Sequence, residues 1–526
     1  MRMPATLGRV GRKAANPPVA KSASRPPPVK GWNTVLPLDA MKPEYAVLLD
    51  NWFAQPGYVE LRGGHAEHSD TSETGSAIES LMTYHAVNPS NDKMFGAVGT
   101  KIYDVTGASP SSVVTSLTNA RWQHINFTTS GGKFLYIVNG EDSPQYYDGS
   151  SWSTPTINNI TAADIVHIAS HKSRIWFVLA NSTKAAYLPV DSIQGNASTV
   201  ELGTFFTRGG YLNAIGTWTR DGGNGPDDYI VFISSRGQVV VFQGTDPSDA
   251  SKWSHVGTYD IGAPIGRRCF LKIGADLAII TVDGVLPMSL VPGIERGAAA
   301  KIALTANIQP TMNGAAKNGA SLFGWQLISY PKGTMALLNV PLTADTFNQY
   351  VMNTITGAWS RFTGINAYCW EIYQDRLFLG GPDGVVYEAD VGSVDPGDAS
   401  ITGNMKTAFD YFETRGQLKR WTMIRPKITV GATITPAVGI NVDFRSDETP
   451  AVSIAALSDL ALWDQAIWDT DEWPPEQVFR NEWATITGVG YCASTQMLVS
   501  VSGSGNTKPV LRVNGFDYIY EPGGPV

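Results

Sequence analysis

The 526-residue sequence predicts an all-β protein: a β-propeller of seven candidate blades, with six possible, plus an antiparallel β platform or sandwich built from the N- and C-terminal segments. Three observations predict it. An apolar β-run, a tight turn and a second apolar β-run recur between Ser76 and Gly392. Their first strands begin about every 45 residues, the span of one four-stranded blade. Each hairpin alone is marginal in water, so the copies must share a core. The hairpins include KMFGAVGTKIYDV (93–105), RIWFVLANSTKAAYL (174–188), YIVFISSRGQVVVF (229–242) and RLFLGGPDGVVYEAD (376–390).

Composition agrees with this class. At 16% the charged fraction lies well below the roughly 25% of soluble domains, while 53 Gly and 15 Trp suit turns and buried contacts. A net charge of −8 argues against a general nucleic-acid clamp, which needs an excess of Lys and Arg. The three cysteines, Cys269, Cys369 and Cys492, show no metal-binding spacing and read as buried thiols of a reducing compartment. With no apolar run of 18 residues and no apolar leader, the chain reads as soluble, without a membrane anchor.

Residues 1–31 form a basic, Pro-rich arm carrying Arg2, Arg9, Arg12, Lys13, Lys21, Arg25 and Lys30 without an acidic residue. Such a segment does not fold alone, so it is either a solvated tail or an arm held by a neighbouring subunit or acidic partner. Residues 32–75 form an N-terminal platform segment, in which 41–53 permits one short helix with Leu48, Leu49 and Trp52 on a stripe. Pro56-Gly57 then turns the chain into the strand Tyr58–Arg62, ended by Gly63-Gly64.

The propeller is predicted over 76–395, with blades starting near Ile78, Arg121, Ile165, Tyr211, Arg267, Leu322 and Asn366. The fifth is the poorest, because the Ala-rich stretch 293–320 lacks β-pattern and reads as a short helix plus loop. Turn residues precede Trp152, Trp253 and Trp359, each expected to open a strand and bury its ring between blades. Residues 396–526 form the C-terminal platform domain, with strands at 418–431, 439–447, 484–491, 495–503 and 509–524. Within it Trp463, Trp468 and Trp473 recur every five residues, a period that fits no regular face. They read as anchors of a loop, or as plugs for a neighbouring subunit.

Catalytic motifs are missing: the sequence has no GxSxG elbow, P-loop, HExxH or EF-hand loop. His167 and His171 on a β-run would stand about 13 Å apart, too far for one ion. His65 and His68, in a polar loop, are a weak metal pair. Asp227, Asp228, Asp283 and Asp383 could serve a glycosidase, yet most occupy turns that hairpin geometry explains. No cofactor is expected, and the chain reads as a non-enzyme.

Two terminal segments resemble a known family. The string LLDNWFAQPGYVELRGG (48–64) is similar to the N-terminal signature of tail proteins of short-tailed bacteriophages, through Asn51, Trp52 or Phe53, Gly57, Val59, Arg62 and Gly64. VLRVNGFDYIYEPGG (510–524), with Asn514 and Gly515, resembles their closing strand, and the spaced Trp-Asp repeat before it is similar too. The family is the tail nozzle group, also called tail tubular protein B, with the related packaged-DNA stabilisation proteins. The resemblance implies a structural protein of the virion tail, assembled in the host cytoplasm. It implies a homo-hexameric ring below the portal and tail adaptor, alongside tail fibre or tail needle proteins. The ring would close the channel, retain double-stranded genomic DNA and conduct it at ejection. The alternatives are a propeller that binds a receptor or glycan and, further off, a glycan-cleaving enzyme.

Overall fold

The computed structural model describes residues 19–221, 226–431, 434–445, 452–453, 478–502 and 508–525. Arg2, Arg9, Arg12, Lys13, Trp463, Trp468 and Trp473 lie outside the described residues.

Seven antiparallel units follow one another around a ring. The first four are four-stranded and consecutive in chain order, opening with Ile78–Tyr84, Gln123–Thr129, Ile165–His171 and Leu212–Asp221. The fifth has three strands, Phe270–Ile273, Asp276–Thr281 and Gly284–Pro287. The sixth opens with Gln326–Tyr330 and the seventh with Cys369–Tyr373. The opening strands of successive blades are neighbours, save that Leu212–Asp221 of the fourth meets the middle strand Asp276–Thr281 of the fifth, and Cys369–Tyr373 lies against Ile78–Tyr84, so the ring closes. At that seam Cys369 Sγ sits 3.3 Å from the Ile78 carbonyl. The fold is therefore a seven-bladed β-propeller, which decides between six and seven.

Alternation explains why these runs are strands. In Pro226–Ser234, Ile230 and Phe232 enter the core shared with the third blade, while Val231 and Ile233 enter the core on the opposite face. A strand buried on both faces is apolar throughout and has no polar stripe. The expected tryptophans open strands at Trp152–Ser153, Trp253–Asp260 and Trp359–Phe362. Trp152 of the second blade packs edge-on against Phe95 of the first, and Trp253 of the fourth stacks on Trp176 of the third.

The fifth blade has three strands, and the Ala-rich stretch that the sequence reads as a short helix plus loop follows its third. Short helical turns lead to the helix Gln309–Gly319, which has Pro310 in its first turn and buries Met312 and Ala316 one turn apart.

The platform is a pair of sheets made from both chain ends. One continues the sixth blade: Trp359–Phe362 pairs in parallel with Ala46–Asp50, which leads through Ile401–Thr407 and Ala493–Val501 to Ala437–Val442. In the other, the last strand, Leu511–Pro525, runs along Gln417–Val430. Its opposite edge takes Lys21–Arg25 and Tyr58–Leu61. One apolar body links Trp52, Trp421 and Met497 of the platform with Trp359 of the sixth blade and Met312 of the helix.

Three expectations are corrected. Residues 41–53 hold no helix; Ala46–Asp50 and Trp52–Gln55 are strands. Trp52 and Ala54 enter one core and Phe53 another, so that run is buried on both faces; in Ala46–Asp50 only Ala46 and Leu49 are buried, three residues apart across a register shift that imitates helical spacing. His65–Asp70 is not a loop or a platform piece but the outer strand of the seventh blade, paired with Val385–Ala389. The arm boundary at residue 31 also moves. Lys21–Arg25 is a platform strand, Arg25 pairs with Asp410 and lies over Phe412, and Lys30 meets Glu44 at 2.5 Å. Over this stretch the chain's own platform holds the arm.

Candidate functional site

The N-terminal residues that carry the resemblance, Asn51, Phe53, Arg62 and Gly64, meet at the joint between propeller and platform. Asn51 takes φ +61°, a left-handed conformation that asparagine tolerates better than most residues, and so reverses the chain between Ala46–Asp50 and Trp52–Gln55. Its side-chain oxygen accepts from Arg62 Nε at 2.9 Å and from the Thr363 amide at 2.8 Å. Its amide nitrogen donates to the Thr402 carbonyl at 2.8 Å and to Thr363 Oγ1 at 3.0 Å. One side chain thus ties the sixth blade to the first strand after the propeller.

Arg62 is 2% exposed, and all five of its N–H donors are used. Besides Asn51, they reach the Gly63 and Thr363 carbonyls and grip both oxygens of Asp395, at 2.9 and 2.7 Å. Asp395 also meets His65 Nδ1 at 2.9 Å. Burial works to raise the Asp395 carboxyl, but the hydrogen bonds from Arg62 and His65 outweigh it and hold it down to about 2. Nearby, Arg361 of the sixth blade grips Asp50 of the platform through two bonds, at 2.6 and 2.7 Å.

The remaining signature residues serve the same geometry. Gly57, at φ +91°, forms the turn between Trp52–Gln55 and Tyr58–Leu61. A Cβ on Gly64 would lie 1.9 Å from the Val394 carbonyl oxygen, so only glycine lets the two chain segments touch. Phe53 is fully buried and meets Phe362 edge-on at 6.4 Å. Asn514 and Gly515 lie elsewhere, on the last strand. There Asn514 donates to Thr429 Oγ1 at 3.4 Å and Gly515 passes the Arg25 carbonyl.

Asp395, Thr363, Thr402 and His65 complete the joint; the sequence marks only His65, and as half of a weak metal pair rather than as a partner of Asp395. Asp395 sits 333 residues from Arg62 in a Pro-Gly turn, and no local pattern marks it. The joint is built to hold rather than to react, since its strongest donors and acceptors are all engaged with each other.

The other polar residues are dispersed. His167 and His171 share a strand and are buried, and His68 bonds the Val105 carbonyl at 3.1 Å. Among the described residues no group of three potential metal ligands occurs. Asp228 accepts from Lys172 and Thr219, Asp283 from Arg296, and Asp383 from Tyr387, on three different blades. Asp227 lies in the same strand as Asp228. The three cysteines are buried free thiols, and burial pushes Cys269 and Cys369 up to about 12. No helix among the described residues is long and apolar enough to cross a membrane.

No family model matches this chain, and no curated protein matches it. Among solved structures it is similar to Sqt1 of Saccharomyces cerevisiae, at 10% identity and TM-score 0.36, over 62% of this chain and 98% of that one. It is also similar to YCF48 bound to a D1 peptide, at 10% identity and TM-score 0.37, over 64% and 96%. A third, BBS1N in complex with ARL6DN, has 12% identity and TM-score 0.30, over 43% and 71%. At these scores the propeller assignment stands on the chain's own seven blades.

Proposed function

We propose that this chain is a structural protein of a short-tailed phage virion, one subunit of a hexameric tail nozzle that closes the DNA channel below the portal and adaptor. In this reading it retains the packaged genome, conducts it at ejection, contacts fibre or needle proteins, and is assembled in the host cytoplasm. It carries no catalytic role.

One observation supports the reading above the others. Asn51, Phe53, Arg62 and Gly64, which carry the resemblance, are buried at the joint that fixes propeller to platform. A ring subunit that bears the pressure of packaged DNA needs those two parts to move as one body. Imaging the purified protein with and without its adaptor tests the proposal. A six-fold ring that docks on the adaptor is expected. A trimer that does not dock would favour the receptor- or glycan-binding alternative.

A further inference from the structure

The propeller axis holds a polar cavity of about 170 Å³. At roughly 30 Å³ per water, it has room for a handful of waters or one small ion with its hydration. Arg267 and Arg268, adjacent residues leading into the short fifth blade, both line it, with His124, His167, Gln326 and Glu371 contributed by other blades. A second hollow of about 310 Å³ shares Arg267 and Arg268 and is rimmed by the loop that carries Phe323.

The two guanidinium groups are held differently. Arg268 is anchored: its Nη2 faces the Glu79 carbonyl, Ser80 Oγ and the Trp122 carbonyl at 3.0, 2.7 and 3.2 Å, and its Cζ lies 5.3 Å from the Phe323 ring. Arg267 makes one long bond, Nη1 to the Asn213 carbonyl at 3.3 Å. Neither forms an ion pair with a carboxylate among the described residues. Glu79 is engaged with Arg121 at 3.0 Å, whereas Glu371 lines the cavity itself, 3.6 Å from His124 and within the field of Arg268, and also accepts from Thr83 and the Ile372 amide. Two guanidinium cations thus face one carboxylate across a partly enclosed polar cavity, which leaves a positive charge in excess, and a buried charge is ordinarily paired.

We infer that this axial cavity binds a small oxyanion, a carboxylate or a phosphate, with Arg267 as the principal donor and Arg268 as the fixed charge beside it. Guanidinium matches both anions in shape, and the cavity volume limits the bound group to a few heavy atoms. The inference rests on the cavity of the isolated chain and is independent of ring assembly.

Calorimetric titration of the full chain with inorganic phosphate, and separately with acetate, tests it. One saturable site per chain is expected for at least one anion, and the stronger binder identifies the class. Arg267→Gln should weaken that binding about tenfold or more, Arg267→Lys should weaken it less, and Arg236→Gln, on an exposed turn, should leave it unchanged. If Arg267→Gln does not fold, the wild-type melting temperature should still rise with the anion at constant ionic strength. No saturable heat and no melting shift with either anion up to roughly 10 mM, or full binding by folded Arg267→Gln, would overturn the inference.

Discussion

Arg62 and Asp395 stand 333 residues apart in the chain yet meet through two hydrogen bonds, at 2.9 and 2.7 Å, where the propeller ends. The pair converts a short N-terminal hairpin into a clasp on the linker that leaves the seventh blade. Breaking one partner strands the other as a buried charge.

Arg62→Met is therefore expected to cost about 3–5 kcal/mol in urea unfolding. Asp395→Asn, which keeps the shape and loses the charge, should cost somewhat less. Because the Asp395 carboxyl lies lower in the folded chain, at about 2, its contribution is complete above the ordinary carboxylate range near pH 4. It is lost as pH falls from about 4 towards 2. In Asp395→Asn that part of the acid dependence should disappear.

Acid should weaken the blades by a second route. Burial pushes His167 down to about 3 and His171 and His124 to about 4, with the charges of Arg267, Lys172 and Arg268 adding to the effect at each in turn. Their ordinary value is near 6.5, so the unfolded chain binds protons that the folded chain refuses. Stability is complete above pH 6.5 and falls towards pH 4, by up to about 1.4 kcal/mol per unit for each histidine. Glu371 acts in the opposite sense, since burial raises it to about 7 and the folded chain holds its proton below that. Urea midpoints at pH 7, 6 and 5 should decline, and His167→Gln should flatten the decline.

The blade seams make a prediction of their own. Trp176, 1% exposed, stacks on Trp253 with ring centroids 5.6 Å apart and an interplanar angle of 16°. Trp176→Ala should cost about 3–5 kcal/mol in denaturant unfolding, as expected for a large core aromatic. Trp253→Ala, at a less buried position, should cost less.

Seven blade starts are legible because inward strands alternate between two seams and Asp or Gly turns separate them. The Trp that opens an outer strand is legible for the same reason: its turn is local. Trp52–Gln55 misleads because burial on both faces erases period 2, and Ala46–Asp50 because a register shift spaces its buried Ala46 and Leu49 three apart. The polar strand His65–Asp70 gives no sign of closing the ring, since its partner Val385–Ala389 lies over three hundred residues downstream. At the joint, Asn51, Arg62 and Gly64 are visible as a motif, whereas Asp395 and Thr363 become meaningful only once the chain folds back.

The arm offers a direct test of its corrected boundary. Lys21–Arg25 pairs residue for residue with Phe516–Tyr520, and Arg25 pairs with Asp410. Removing residues 1–18 should leave the melting temperature unchanged, while removing 1–25 should lower it by several degrees. Equal melting of both truncations would show that this strand adds nothing to the platform.

Native mass spectrometry of the purified full-length chain addresses the central proposal most directly. A hexamer, six times the 56.6 kDa of one subunit, is the mass a nozzle ring requires, either alone or once the adaptor is added. A monomer or trimer that persists at every concentration and in the presence of adaptor would contradict it.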